Sequence, residues 1–148
     1  MKASTGISPI PAGYHTLSPC VLLNEVEGCL AFCQRAFDAQ VVRKVLGPDG
    51  NVFHAELRLG DSHIKFTAAL GLLEPIPGSI YFYVADVDAV FAQALAAGAK
   101  AIDPPTDAFD GDRRCRVRDA WGNSWWIATH TEDVTETDLQ RRALKGMR

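Results

Sequence analysis

The sequence predicts an α+β fold in which two repeated β-α-β-β-β modules form a cleft of mixed sheets. Three observations carry this. Glu25 to Asp86, Glu27 to Asp88 and Leu30 to Phe91 are each 61 residues apart, and Gly60-Asp61-Ser62 and Gly122-Asn123-Ser124 are 62 apart, so one plan is used twice. Each copy contains a single apolar stripe at helical spacing. Each also contains several short apolar or alternating runs separated by turns, too closely spaced for the crossovers that a doubly wound parallel sheet needs.

The elements follow in order. Residues 1–17, with Pro9, Pro11 and Gly13 and no periodicity, read as an irregular arm. The first module, 18–67, opens with a strand at Ser18–Leu23. Asn24 then precedes Val26, Cys29, Leu30, Cys33 and Phe37 at helical spacing, and Glu27 three residues after Asn24 suggests a capping box. Val41–Leu46, Val52–Leu59 and His63–Thr67 have strand length and are divided by Gly47-Pro48-Asp49-Gly50 and Gly60-Asp61-Ser62. Residues 68–78, with Gly71, Pro75, Pro77 and Gly78, have linker chemistry.

The second module, 79–130, begins with a strand at Ser79–Ala85. Asp86 is placed to cap a helix whose apolar face is Val87, Val90, Phe91 and Ala94, and Gly98 to end it in the left-handed conformation. Strands are expected at Ala99–Ile102, Arg113–Arg118 and Trp125–Thr129. In the helical tail, 131–148, Thr135 with Asp138 three residues later marks a helix start near Glu136. The whole is read as a single domain.

Composition narrows the partners. Over 148 residues, 47% hydrophobic and 22% charged is ordinary for a globular chain, and no run approaches the roughly 20 apolar residues of a spanning helix. The first six residues lack a signal-peptide core, so the expectation is a cytoplasmic protein with no membrane partner. A net charge of −3 offers nucleic acid no broad attraction. Cys20, Cys29, Cys33 and Cys115 form no C-x-x-C pair and read as small core residues.

Strand alternation sorts the chemistry-bearing residues. Phe53, Ala55, Leu57 and Leu59 share one face, to be covered by a helix, and His54, Glu56 and Arg58 share the other. Ile64 and Phe66 likewise oppose His63, Lys65 and Thr67. Cys115 and Val117 oppose Arg114, Arg116 and Arg118; Ile80 and Phe82 oppose Tyr81 and Tyr83; Trp125 and Ile127 oppose Trp126. Each sheet thus has a polar face that mixes charges with aromatic bodies, the composition of small-molecule sites. The plainer reading is a solvated sheet face, with the aromatics filling a cleft or a dimer interface. His54 and Glu56, two apart on one strand, are the acid/base candidates; their plainer reading is an ion network with Arg58 and Lys65. No phosphate loop, dinucleotide fingerprint or Ser/His/Asp order is evident.

Pro11-Ala12-Gly13-Tyr14-His15-Thr16, Phe53-His54-Ala55-Glu56-Leu57-Arg58, Tyr83-Val84-Ala85-Asp86-Val87-Asp88-Ala89, and Gly111-Asp112-Arg113 through Arg118-Asp119 to Ala128-Thr129-His130 together resemble the PhnB-like group of the vicinal oxygen chelate (glyoxalase/bleomycin-resistance/dioxygenase) superfamily, over most of residues 9–142. The resemblance implies a U-shaped cleft, usually within a homodimer, with metal and substrate on the concave face. It also implies metal ligands on the first and last strand of each module. Those positions fall at Ser18, Lys65, Ser79 and Trp126, which are poor ligands, so neither metal nor cofactor is expected there. Cys20, His54, Glu56 and His63 are the residues from which a displaced metal site could assemble.

Three functions follow as expectations. The first is a metal-free protein that binds a small organic ligand, as bleomycin-sequestering relatives do, with His54, Glu56, Lys65, Tyr81, Tyr83, Arg116 and Trp126 around it. The second is a metal-dependent lyase, isomerase or dioxygenase using a displaced site. The third is a dimeric interaction module whose cleft is filled by its own side chains.

Overall fold

The computed structural model describes residues 6–146; residues 1–5, on which the lack of a signal core was read, lie outside the described residues, as do 147–148. The first module runs β1 (Cys20–Leu23), α1 (Glu27–Phe37), β2 (Gln40–Leu46), β3 (Val52–Leu59) and β4 (Ser62–Ala68). The second runs β5 (Ser79–Tyr83), α2 (Val87–Ala96), β6 (Lys100–Asp107), β7 (Asp112–Arg118) and β8 (Ser124–His130), and α3 (Glu136–Gly146) closes the chain. The strand orders are β1-β4-β3-β2 and β5-β8-β7-β6. In each sheet the first strand is parallel to the last and the other pairs are antiparallel. Both sheets are therefore mixed, because only the α1 and α2 connections are long enough to return the chain in parallel.

Local chemistry explains most boundaries. Asp86 accepts the Ala89 N–H at 3.0 Å as an N-cap, and Gly98 has φ +106°, which a residue with a Cβ rarely adopts. Thr135 Oγ1 accepts the Asp138 N–H and starts α3. Four expectations need correction. The N-cap of α1 is Val26 with no side-chain cap; Glu25, rather than Asn24, accepts a first-turn N–H, that of Gly28. β1 starts two residues after Ser18, because Pro19 has no N–H to give the ladder. β5 stops at Tyr83. β6 continues through Pro104 and Pro105 to Asp107, as it can because it is an edge strand, where the register shift between Asp103 and Thr106 absorbs the prolines.

One core holds both modules together. Val21, Leu23, Val26, Leu30, Ala55, Leu57, Ile64 and Phe66 from the first join Ile80, Val87, Val117, Trp125 and Ile127 from the second. Phe37 at the end of α1 reaches across to Phe82 and Trp125, with ring centroids 5.1 and 4.9 Å apart. α1 packs on α2, whereas β1 and β5 are not paired and each lies at the edge of its own sheet. The apolar faces of the two sheets therefore meet across the helices, and the polar faces point away from the shared core.

Beneath Trp125 lies a buried polar cluster. Asp119 accepts hydrogen bonds from the Trp125 Nε1–H (2.9 Å), the Asn123 amide side chain (2.8 Å) and the backbone N–H groups of Trp121 and Asn123. Glu25 of the first module accepts the Trp121 Nε1–H at 3.1 Å, so this turn also joins the modules. Cys29, Cys33 and Cys115 are buried in the core as expected, but Cys20 is exposed. Phe53 is a second exception, 43% exposed: the β2–β3 register shifts between Val45 and Leu46, and Val52 takes its place in the core.

Candidate functional site

Alternation along β3 and β4 places His54, Glu56 and Lys65 together on the polar face of the first sheet. Glu56 and Lys65 are direct cross-strand partners, as are His54 and Thr67. Glu56 is only 3% exposed and is surrounded by donors. Tyr14 of the arm donates its hydroxyl to Oε2; His54 Nε2 lies 3.3 Å, Lys65 Nζ 3.6 Å and Arg43 Nη1 3.8 Å from Oε1. Burial alone would raise its carboxyl, but the Tyr14 and His54 hydrogen bonds and then the two cations outweigh it and hold the pKa below the ordinary glutamate value. Arg58 is not part of this network; it donates to Gln40. An ionised carboxylate with these partners binds hydroxyl or cationic groups well and is a weak proton acceptor.

The second sheet gathers Tyr81, Tyr83, Arg116 and Trp126 on its polar face. Tyr81 pairs with Trp126 across β5 and β8, and Arg116 with Trp126 across β7 and β8. The Tyr81 and Trp126 rings are nearly parallel, 17° apart with centroids at 6.4 Å. Arg116 holds its guanidinium 4.7 Å from the Trp126 ring centroid and lies beside Asp103, Nε to Oδ2 2.9 Å, an ion pair poorly aligned for a hydrogen bond. A cavity of about 230 Å³ opens between Asp103, Pro104, Thr106, Arg114 and Trp126.

Sequence reasoning missed two residues of this face, Asp112 and His130. Asp112, 4% exposed, accepts the hydroxyls of Tyr81 (2.6 Å) and Tyr83 (3.0 Å) on one oxygen and faces His130 Nδ1 at 2.8 Å on the other. Arg114 pairs with Asp110. Burial acts to raise the Asp112 carboxyl, and the hydrogen bonds from Tyr81, His130 and Tyr83 more than reverse it, leaving the pKa lowered. His130 is raised by Asp133 first and then by Asp112. Asp112 and His130 each sit one residue beyond the strand expected from the sequence. Continuing the alternation of Trp126 and Arg114 by two or four places would have found them.

The polar faces thus hold the seven expected binding residues in two groups, His54, Glu56 and Lys65 on one sheet and Tyr81, Tyr83, Arg116 and Trp126 on the other. Because the apolar faces meet in the core, the two groups do not enclose one cleft within a single chain.

A model of the Glyoxalase/Bleomycin resistance protein/Dioxygenase superfamily matches residues 15–127. The chain belongs to this superfamily. Among relatives of the superfamily member, an uncharacterized protein of Mycobacterium tuberculosis is 32% identical over 135 residues, covering 84% of this chain and 79% of that protein. The fold is similar to that of TioX from Micromonospora sp. ML1, with a TM-score of 0.65 at 23% identity over 77% of this chain and 98% of that one. It is also similar to that of a PhnB protein from Bacillus cereus, a putative 3-demethylubiquinone-9 3-methyltransferase by its name, with a TM-score of 0.62 at 17% identity over 78% and 99% of the two chains.

The superfamily's divalent ion can be tested against the donors present. Ser18, Lys65, Ser79 and Trp126 offer two neutral hydroxyls, an ammonium and an indole, a set that does not fit such an ion. The displaced set does not assemble either. His54 and Glu56 are adjacent, but His63 is stacked against Tyr14, and among the described residues no three His, Cys, Asp or Glu side chains converge as a metal would require. Among the described residues no helix is long and apolar enough to cross a membrane.

Proposed function

We propose that this chain is a small-molecule-binding protein of the PhnB-like kind, working in the cytoplasm as a homodimer and without a metal at the superfamily's usual positions. The observation that carries the reading is the Trp126 platform. A large flat ring stands where relatives keep a metal ligand, covered by the Arg116 guanidinium and extended sideways by Tyr81. Such a surface suits a planar conjugated ligand, which gains apolar contact on the rings and a charge-assisted contact from the arginine. Asp112, with its tyrosines and His130, supplies hydroxyl and imidazole groups at the far end of the same face.

The homodimer is supported by the direction of the two faces. Each chain presents three of the expected residues on one sheet and four on the other, so a cleft containing both groups needs the other group from a second copy. The test is a titration of the purified protein with planar aromatic acids, followed by tryptophan fluorescence, alongside elemental analysis of protein prepared without chelator. The proposal expects saturable quenching that is lost in Trp126→Ala and metal well below one ion per chain. Stoichiometric zinc, nickel or iron would overturn it in favour of an enzyme.

A further inference from the structure

The arm ahead of β1 is attached in an unusual way. Among the described residues no backbone hydrogen bond joins 6–17 to the rest of the chain; the first is from the Lys65 N–H to the Pro19 carbonyl, 2.9 Å. What fixes the arm is the Tyr14 side chain. Its ring stacks on His63, centroids 3.9 Å apart and planes 16° apart, with the Lys65 ammonium 5.9 Å from the ring centroid and its hydroxyl donated to buried Glu56. A tight turn presents it: the Tyr14 N–H returns to the Pro11 carbonyl at 3.0 Å, with Gly13 at φ +82°, the residue that a type II turn requires at that place.

Tyr14 therefore occupies the polar face of the first sheet as a ligand would. Tyr14 borders an open cavity of about 310 Å³ beside Ser18 and Lys65, and a second, of about 390 Å³, lies beside Arg58 and His63. Under it, His63 Nδ1 is buried with no hydrogen-bond partner among the described residues. A carboxylate that takes one O–H donor, an imidazole that offers a flat face, and a cation at the ring together define what fits. The occupant is a neutral phenol: an ether cannot donate to Glu56, and a phenolate would be repelled by it.

We propose that Tyr14 is a tethered stand-in for a hydroxyaryl ligand, and that the arm swings out so that a small phenol can take the same place, its O–H on Glu56 and its ring on His63. This rests on the reading of the polar faces as small-molecule sites and names the ligand class for one of them. A tethered group competes at an effective concentration in the millimolar range, so the intact chain binds a free phenol weakly and removal of the tether exposes the site.

The test titrates 4-methylphenol and its methyl ether, 4-methylanisole, into the full chain and into Tyr14→Ala, Tyr14→Phe and Tyr14→Ala/Glu56→Gln, reading the His63 ring protons by NMR. The expected result is affinity for 4-methylphenol roughly tenfold or more higher in Tyr14→Ala than in the parent, the gain that removing an internal competitor at about 1 mM gives a site whose own Kd is about 0.1 mM. A smaller gain is expected in Tyr14→Phe, which keeps the ring and guards against a folding defect. The ether should not bind, and Glu56→Gln should remove the gain. Equal affinities in parent and Tyr14→Ala, or an ether that binds as well as the phenol, would overturn the inference. Quenching of Trp126 by planar acids is followed in the same proteins: its persistence in the parent beside a failed phenol titration rejects this inference alone, and its absence there rejects the wider reading.

Discussion

Arg116 lays its guanidinium over the Trp126 ring, 4.7 Å from the centroid, directly across the β7–β8 ladder. The register makes the pair: the two residues are cross-strand partners on the polar face, and Asp103 on β6 anchors the arginine from the other side. Trp126→Ala should weaken a planar ligand by about 1–3 kcal/mol, the order for loss of a central aromatic contact. Arg116→Ala should weaken an anionic planar ligand more than its neutral analogue. Calorimetric titration of both variants checks this, and unchanged affinity in Trp126→Ala would mean the ligand lies elsewhere.

Stability should depend on Trp125, one residue away and on the opposite face. Its ring is fully buried against Phe37 and Phe82 and its Nε1–H is held by Asp119. Trp125→Ala is expected to cost about 3–5 kcal/mol, enough to threaten folding. Asp119→Ala, which leaves several buried donors without an acceptor, should also be strongly destabilising. Urea denaturation of each variant measures both losses, and a change below about 1 kcal/mol in either would contradict the packing described.

The Asp112–His130 pair predicts a pH dependence with a definite sign. His130 is raised in the folded state, so the stability that it contributes is fully present below the ordinary histidine value and is lost as pH rises through the folded value. Asp112 is lowered, so its contribution is present above the ordinary aspartate value and is lost as pH falls through the folded one. NMR titration of the His130 ring should give a midpoint above the usual histidine value of about 6.5. Asp112→Asn should bring that midpoint down; no movement would show that the contact is not formed in solution.

Assembly is the third dependence. Sedimentation equilibrium at micromolar concentration should show a homodimer, and a stable monomer would leave the two polar faces as separate half-sites.

Much of the fold was legible because burial imposes a period. In β8 the adjacent tryptophans take opposite faces, Trp125 fully buried and Trp126 half-buried, as two-residue alternation requires. The 61-residue spacing located both helices because each must cover one sheet with the same few apolar positions. What was not legible lies at strand ends and in the arm. Asp112 and His130 fall just outside the apolar runs that marked β7 and β8, and Tyr14 belongs to a segment without periodicity, held by one side chain. Phe53 departed from the alternation, since a pattern does not report the register shift that turns Val52 into the core in its place. Nor does alternation within each sheet say whether two polar faces turn toward or away from one another; that depends on α1 packing against α2.

The most direct test of the account is a crystal structure of protein purified straight from its expressing cell with no ligand added. The account predicts density for a planar organic molecule bordered by Trp126, with Tyr81, Tyr83 and Arg116 around it, and no ion at Ser18, Lys65, Ser79 and Trp126. An ion bound at those positions, or Trp126 buried against side chains of a second copy with no space for a ligand, would contradict it.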